Sequence, residues 1–188
     1  GRRIVLKPTW QEYTPKPGDV VVELDPGMAF GTGHHPTTRM CLEEVERHVK
    51  PGMRVLDVGT GSGILAVAAA KLGAAEVVGL DIEEAAIKAA SENFICNDVA
   101  GWAKVFLGSL PHPQAQAGSF DLALANITAK TIATLAGEMA TALAPGGLLI
   151  ATGIIVEREA EAQDALQRAL AIQERRQDGD WVLFIARR

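Results

Sequence analysis

The chain has 188 residues, 48% of them hydrophobic and 22% charged, with a formal net charge of −5. These values suit one globular domain and weigh against disorder and against a phosphate-backbone binder, whose affinity comes from clustered Lys and Arg. The longest apolar stretch, around Gly63 to Ala70, is interrupted by Lys71 well short of the roughly 20 residues that span a bilayer. No apolar leader is visible near the start, so the expected location is cytoplasmic. Cys41 and Cys96 lack a Cys-x-x-Cys spacing and are expected to be reduced thiols of the core.

In chain order, Val20 to Leu24 alternates like a short edge strand, Asp25 to His35 is a Gly-rich loop, and Thr37 to Val49 predicts a helix stopped by Pro51-Gly52. From Arg54 onward strands and helices alternate, the pattern of βαβ units around a parallel sheet. Strands are predicted at Arg54 to Val58, Glu76 to Leu80, Ala103 to Phe106, Leu122 to Ala125, Leu148 to Thr152, Ile172 to Arg176 and Trp181 to Ala186. Helices are predicted at Gly63 to Leu72, Glu83 to Asn93, Ala129 to Leu143 and Val156 to Leu170, with Gly108 to Ser119 a long loop. Asp178-Gly179 reads as a hairpin turn. The expected fold is therefore a Rossmann-like α/β domain over residues 1–188: a seven-stranded, mostly parallel sheet with helices on both faces and an antiparallel C-terminal hairpin. Class I methyltransferases finish their sheet in this way.

The run Val55-Leu56-Asp57-Val58-Gly59-Thr60-Gly61-Ser62-Gly63 is a buried strand entering a glycine turn before a helix. Glycine permits positive φ and close approach of a ligand, and the helix N-terminus behind the turn offers N–H groups to a carboxylate. Asp57, two residues before Gly59, can receive an ammonium. Together they suit the amino-acid tail of S-adenosylmethionine. The dinucleotide alternative requires Gly-x-Gly-x-x-Gly, whereas the spacing here is Gly-x-Gly-x-Gly across Gly59, Gly61 and Gly63. Asp81 ends the next strand, 22 residues after Gly59, where an acid can accept from ribose hydroxyls. Ile82 beside it is placed in the same cofactor set. Asp81 could instead cap the following helix, with Glu84 completing a capping box.

Three further segments carry a resemblance: Leu24-Asp25-Pro26-Gly27-Met28-Ala29-Phe30-Gly31-Thr32-Gly33-His34-His35-Pro36-Thr37-Thr38, Ala125-Asn126-Ile127-Thr128-Ala129, and Ala151-Thr152-Gly153-Ile154-Ile155. The chain resembles the family of methyltransferases that modify the eleventh protein of the large ribosomal subunit. The likeness runs from about Pro8 to the C-terminus and does not include the small N-terminal recognition domain of that family. It implies an S-adenosylmethionine-dependent N-methyltransferase domain acting on lysine or N-terminal amines of a large-subunit ribosomal protein. It further implies donor contacts at Thr38, Gly59, Asp81 and Asn126, and a loop with Phe30, Gly31 and Thr32 that closes over the donor. Asn126, at the carboxyl edge of its strand, is expected to orient the acceptor amine, although it could merely cap the helix near Thr128. His34 and His35 complete no familiar ligand spacing, so no metal is expected.

Overall fold

A computed structural model describes residues 3–24 and 35–188. Two short strands come first, β1 (Ile4–Pro8) and β2 (Val20–Leu24), followed by helix α1 (Pro36–His48). The repeating part comprises β3 (Arg54–Val58), α2 (Ile64–Lys71), β4 (Glu76–Asp81), α3 (Glu84–Cys96), β5 (Ala103–Leu107) and β6 (Phe120–Asn126). It continues through α4 (Ala129–Ala142), β7 (Leu143–Ile155), α5 (Glu159–Ala169), β8 (Ala171–Asp178) and β9 (Trp181–Arg187).

Among the described residues, seven strands form one sheet in the order β5-β4-β3-β6-β7-β9-β8. Only β9 runs against its neighbours, pairing antiparallel with both β7 and β8. The expected seven-stranded sheet with its C-terminal hairpin is present. The chain starts in the centre at β3, moves outward through β4 and β5, then returns to pair β6 on the other side of β3. Such a reversal opens a crevice at the carboxyl ends of the strands, where ligands of open α/β sheets bind.

Burial explains the composition of these elements. Val55, Leu56 and Val58 of β3 are at most 2% exposed, as a central strand covered on both faces requires. Helix α2 buries every residue from Ile64 to Ala70, and its alanines allow close contact with sheet and neighbouring helices. The cluster around α1, α2 and α3 covers one sheet face, and that around α4 and α5 covers the other. Among the described residues no helix is long and apolar enough to cross a membrane.

One expectation is borne out with an addition, and one is corrected. Strand β2 is an edge strand, as its alternation predicts, and it stands apart from the main sheet. It forms a separate two-stranded parallel sheet with β1, a strand that sequence reading missed. The physical reason lies in the helix layer: Lys71 Nζ donates to the Val21 carbonyl at 2.6 Å, and Asn97 Nδ2 donates to that of Glu23 at 2.7 Å, binding β2 over α2 and α3. Cys96 is exposed, unlike the buried Cys41. Helix α3 turns Ala86, Ala89, Ala90, Asn93 and Phe94 inward, leaving Cys96 off that stripe.

Leu56 fills the middle of the sheet with no exposed surface. Leu56→Ala is expected to lower stability by about 2–5 kcal/mol in urea unfolding, through lost transfer energy and a residual cavity. A loss below about 1 kcal/mol would show that this part of the core closes around the gap.

Candidate active site at the carboxyl edge of the sheet

The register of β3 with β4 and β6 sets Asp57 opposite Gly79 and Leu124, so the loops after all three strands emerge at one level. The turn after β3 is anchored by Gly59 N–H and Thr60 N–H, which both donate to the Leu80 carbonyl, at 2.8 and 3.0 Å. Gly59, Gly61 and Gly63 all have positive φ, at 71°, 55° and 78°. Each glycine is thus required by the backbone path. A Cβ on Gly59 would also lie 2.3 Å from Ile127 Cγ2, in the turn that follows β6. Gly63, placed in the cofactor set from its spacing, has a packing role: it caps α2, and a Cβ there would meet Phe94 at 2.8 Å.

Asp57 is 1% exposed. Its Oδ2 accepts from Thr60 Oγ1 at 2.7 Å, while Oδ1 is buried without a hydrogen-bond partner. Burial pushes its carboxyl up to about 6, opposed by the Thr60 bond, reinforced by the negative charge of Asp81 and eased by the Ala66 N–H in the first turn of α2. An acceptor oxygen held in this condition fits a cationic donor group such as an ammonium.

Asp81 Oδ2 accepts from Gly61 N–H at 2.9 Å, and Oδ1 accepts from Glu83 N–H at 3.1 Å. The alternative of Asp81 as the N-cap of α3 is not realised, since the N-cap is Glu83. With two of about four lone-pair positions engaged, the carboxylate retains capacity for hydroxyl donors. Ile82 and Leu107 flank it as apolar side chains that are 73% and 50% exposed, suited to a flat heterocycle. Leu107 was not singled out from sequence. Its only signal was its place at the end of β5.

The third part is assembled across the chain. Asn126 Nδ2 donates to Thr38 Oγ1 at 3.4 Å, a long contact joining β6 to the first turn of α1. Asn126 is not the cap of α4; Thr128 is, accepting from Thr131 N–H. His35 caps α1 by accepting from Thr37 N–H, and its ring meets Trp181 edge-on at 4.6 Å. Gly153, at an irregularity in β7, has φ 85°, and a Cβ would approach the Ile127 carbonyl to 2.3 Å. The Asn126-Ile127 turn is therefore wedged between two glycines. Thr60, Trp181 and Gly153 were not recognised as site-building residues from sequence. Phe30, Gly31 and Thr32 lie outside the described residues. Among the described residues no group of three or more His, Cys, Asp or Glu is placed to hold a metal ion.

The sequence model of the family described as "Ribosomal protein L11 methyltransferase (PrmA)" matches residues 1–188. The chain belongs to the ribosomal protein L11 methyltransferase family. The family protein of Pelotomaculum thermopropionicum is 52% identical over 188 residues, which are 100% of this chain and 60% of that protein. The family protein of Chloroflexus aurantiacus is 48% identical over 212 aligned residues, covering 100% of this chain and 64% of that protein. The chain thus spans about 60% of the length of such curated relatives. The crystal structure of ribosomal protein L11 methylase from Lactobacillus delbrueckii subsp. bulgaricus superposes with a TM-score of 0.90 at 34% identity, covering 99% of this chain and 95% of that one. A geranyl diphosphate methyltransferase, at 13% identity and a TM-score of 0.67 over 80% of this chain, shares the fold alone.

Because Asp57 titrates higher when folded, the folded protein binds more protons than the unfolded chain between about pH 4 and 6. The stability tied to its neutral form is complete below about pH 4 and is lost as pH rises through about 6. At pH 7 the ionised carboxylate then costs on the order of 3 kcal/mol. Asp57→Asn is expected to exceed the parent in stability at pH 7 and to show a flatter dependence from pH 4 to 7 in urea unfolding. Equal slopes for both proteins would remove Asp57 as the titrating group.

Proposed function

We propose that this chain is an S-adenosylmethionine-dependent N-methyltransferase domain acting on lysine or N-terminal amines of a large-subunit ribosomal protein. The observation that carries this reading is the meeting of three differently suited groups at one sheet edge. Asp57 offers a buried, unpartnered acceptor; Asp81 offers spare carboxylate lone pairs beside apolar Ile82 and Leu107; and Asn126 is tied to Thr38. Residues 1–188 are read as one catalytic domain, and the reading carries a cytoplasmic location with it.

In this assignment Asp57 and the turn at Gly59 and Gly61 hold the amino-acid tail, while Asp81 holds the ribose and Ile82 and Leu107 border the base. Phe30, Gly31 and Thr32 remain assigned to the same site by resemblance. When bound, S-adenosylmethionine supplies an electrophilic methyl group on a positively charged sulfur. The work left to the protein is alignment and exclusion of water. A lysine acceptor has an ordinary pKa of about 10.4, and only its neutral amine can attack. With Nδ2 directed at Thr38, Asn126 turns its side-chain oxygen the other way, as an acceptor for an amine N–H. That contact orients the amine's lone pair, and desolvation beside a cationic sulfur favours the neutral form.

Calorimetry with S-adenosylmethionine tests the assignment. Asp81→Ala is expected to weaken binding by about tenfold or more, the equivalent of losing about 1.5–3 kcal/mol of charge-assisted hydrogen bonding. Near pH 6, pairing Asp57 with the donor's ammonium lowers its pKa, so binding is expected to release a fraction of a proton. Titrations in buffers of different ionisation enthalpy measure that release, and Asp57→Asn should abolish it. Asn126→Ala should reduce turnover more than donor affinity when methyl incorporation into the ribosomal protein is followed. Failure of the folded parent to bind the donor would overturn the reading.

A further inference from the structure

Helix α1 brings Thr38 to the site, and its outer side carries charges in a repeating order: Arg39, Glu43 and Arg47. Each faces a residue of the edge strand β8. Arg39 pairs with Asp178, Glu43 with Arg176 at 2.6 Å, and Arg47 with Glu174 at 2.9 Å. Arg176 also pairs with Glu44, which is 2% exposed and lies within salt-bridge distance of Arg47 and His48. The Arg176 hydrogen bond holds the Glu43 carboxyl below its ordinary range.

The two elements are commensurate. Four helix residues rise about 6 Å, and two strand residues about 6.6–6.8 Å, so successive pairs stay in step over three rungs. The order is plus, minus, plus on the helix against minus, plus, minus on the strand. Sliding by one rung would set Arg39 against Arg176 and Glu43 against Glu174, like charge facing like.

A bulge makes the arrangement possible. Pairing shifts between Ile172↔Ala186 and Glu174↔Ile185, leaving Gln173 as an extra residue. Ile172 packs with the α4 and α5 cluster, whereas Ile185 and Leu183, the partners of Glu174 and Arg176, belong to the α1 side. The inserted residue thus turns Glu174, Arg176 and Asp178 toward α1, since a one-residue slip exchanges the faces of a strand. Arg175 faces the opposite way, to Glu159 of α5.

We infer that this charge ladder is a register lock that sets the axial position of α1 and so holds Thr38 opposite Asn126, with Arg176 as the central positioning residue. The consequence for donor binding rests on the site assignment proposed above; the lock itself does not.

Two measurements on the whole chain separate these levels. The NMR resonance of the Asn126 side-chain amide, recorded without donor, is expected to shift in Arg176→Ala as it does in Thr38→Ala, and to stay in place in Arg175→Ala. Calorimetry with S-adenosylmethionine is expected to show at least fivefold weaker binding for Arg176→Ala, less than a further twofold change when the same substitution is made in Thr38→Ala, and recovery in Arg176→Lys. An unmoved resonance overturns the lock, whether or not the parent binds donor. A shifted resonance with unchanged affinity keeps the lock and overturns its role in donor binding. Additive losses in the double variant overturn the route through Thr38. Should Arg176→Ala not fold, Glu43→Gln weakens the same rung from the helix side and Arg39→Ala removes the rung to Asp178, and both carry the same expectations.

Discussion

The structure depends first on the parallel pairing of β3 with β4 on one side and β6 on the other. Asp57, Asp81 and Asn126 lie far apart in sequence, yet this pairing delivers the ends of their strands to one edge. The glycine turn that leaves β3 can exist there only because its N–H groups find the Leu80 carbonyl and its glycines accept positive φ. Everything chemical at the site is built on that edge. Asp57 remains buried with one oxygen unpartnered because the turn closes over it, and Asp81 is steadied by the Gly61 N–H of the same turn.

The second constraint is the placing of α1. A helix packed by apolar contacts alone can slide along its axis by small amounts, because such contacts are non-directional. Alternating charge at matched spacing is directional in a way that apolar burial is not. Surface ion pairs contribute little to stability one at a time. Their worth here lies in choosing one register, and the buried Glu44 strengthens that choice by making displacement of its cations costly. Site chemistry on one edge is thereby tied to the last strands of the chain.

Much of this was legible in the residues. Alternating strand and helix periods marked the sheet, the Gly-x-Gly-x-Gly spacing marked the turn, and Asp81 was visible at the end of its strand. The family resemblance added Thr38 and Asn126, which the structure brings into contact across 88 positions of sequence. Other readings failed for identifiable reasons. Strand β1 has no alternation to reveal it, being half-buried at every position. Cys96 was expected in the core because its segment is helical, but helicity alone does not say which side of a helix faces inward. The packing of Gly63 against Phe94 was likewise not visible in the glycine spacing.

What the sequence determined by itself was therefore local: element type, the positions where only glycine follows the backbone, and the acids that end central strands. Periodicity and φ preference act over a few residues and survive without knowledge of the partner. Tertiary structure alone decided which strand lies beside which, that Asp57 keeps an unpartnered oxygen, and that Arg176 faces α1 while Arg175 faces α5. These outcomes rest on long-range register and on a single inserted residue at Gln173. A shift of one residue reverses every side chain beyond it, and nothing in the neighbouring sequence records that reversal until the partner strand is in place.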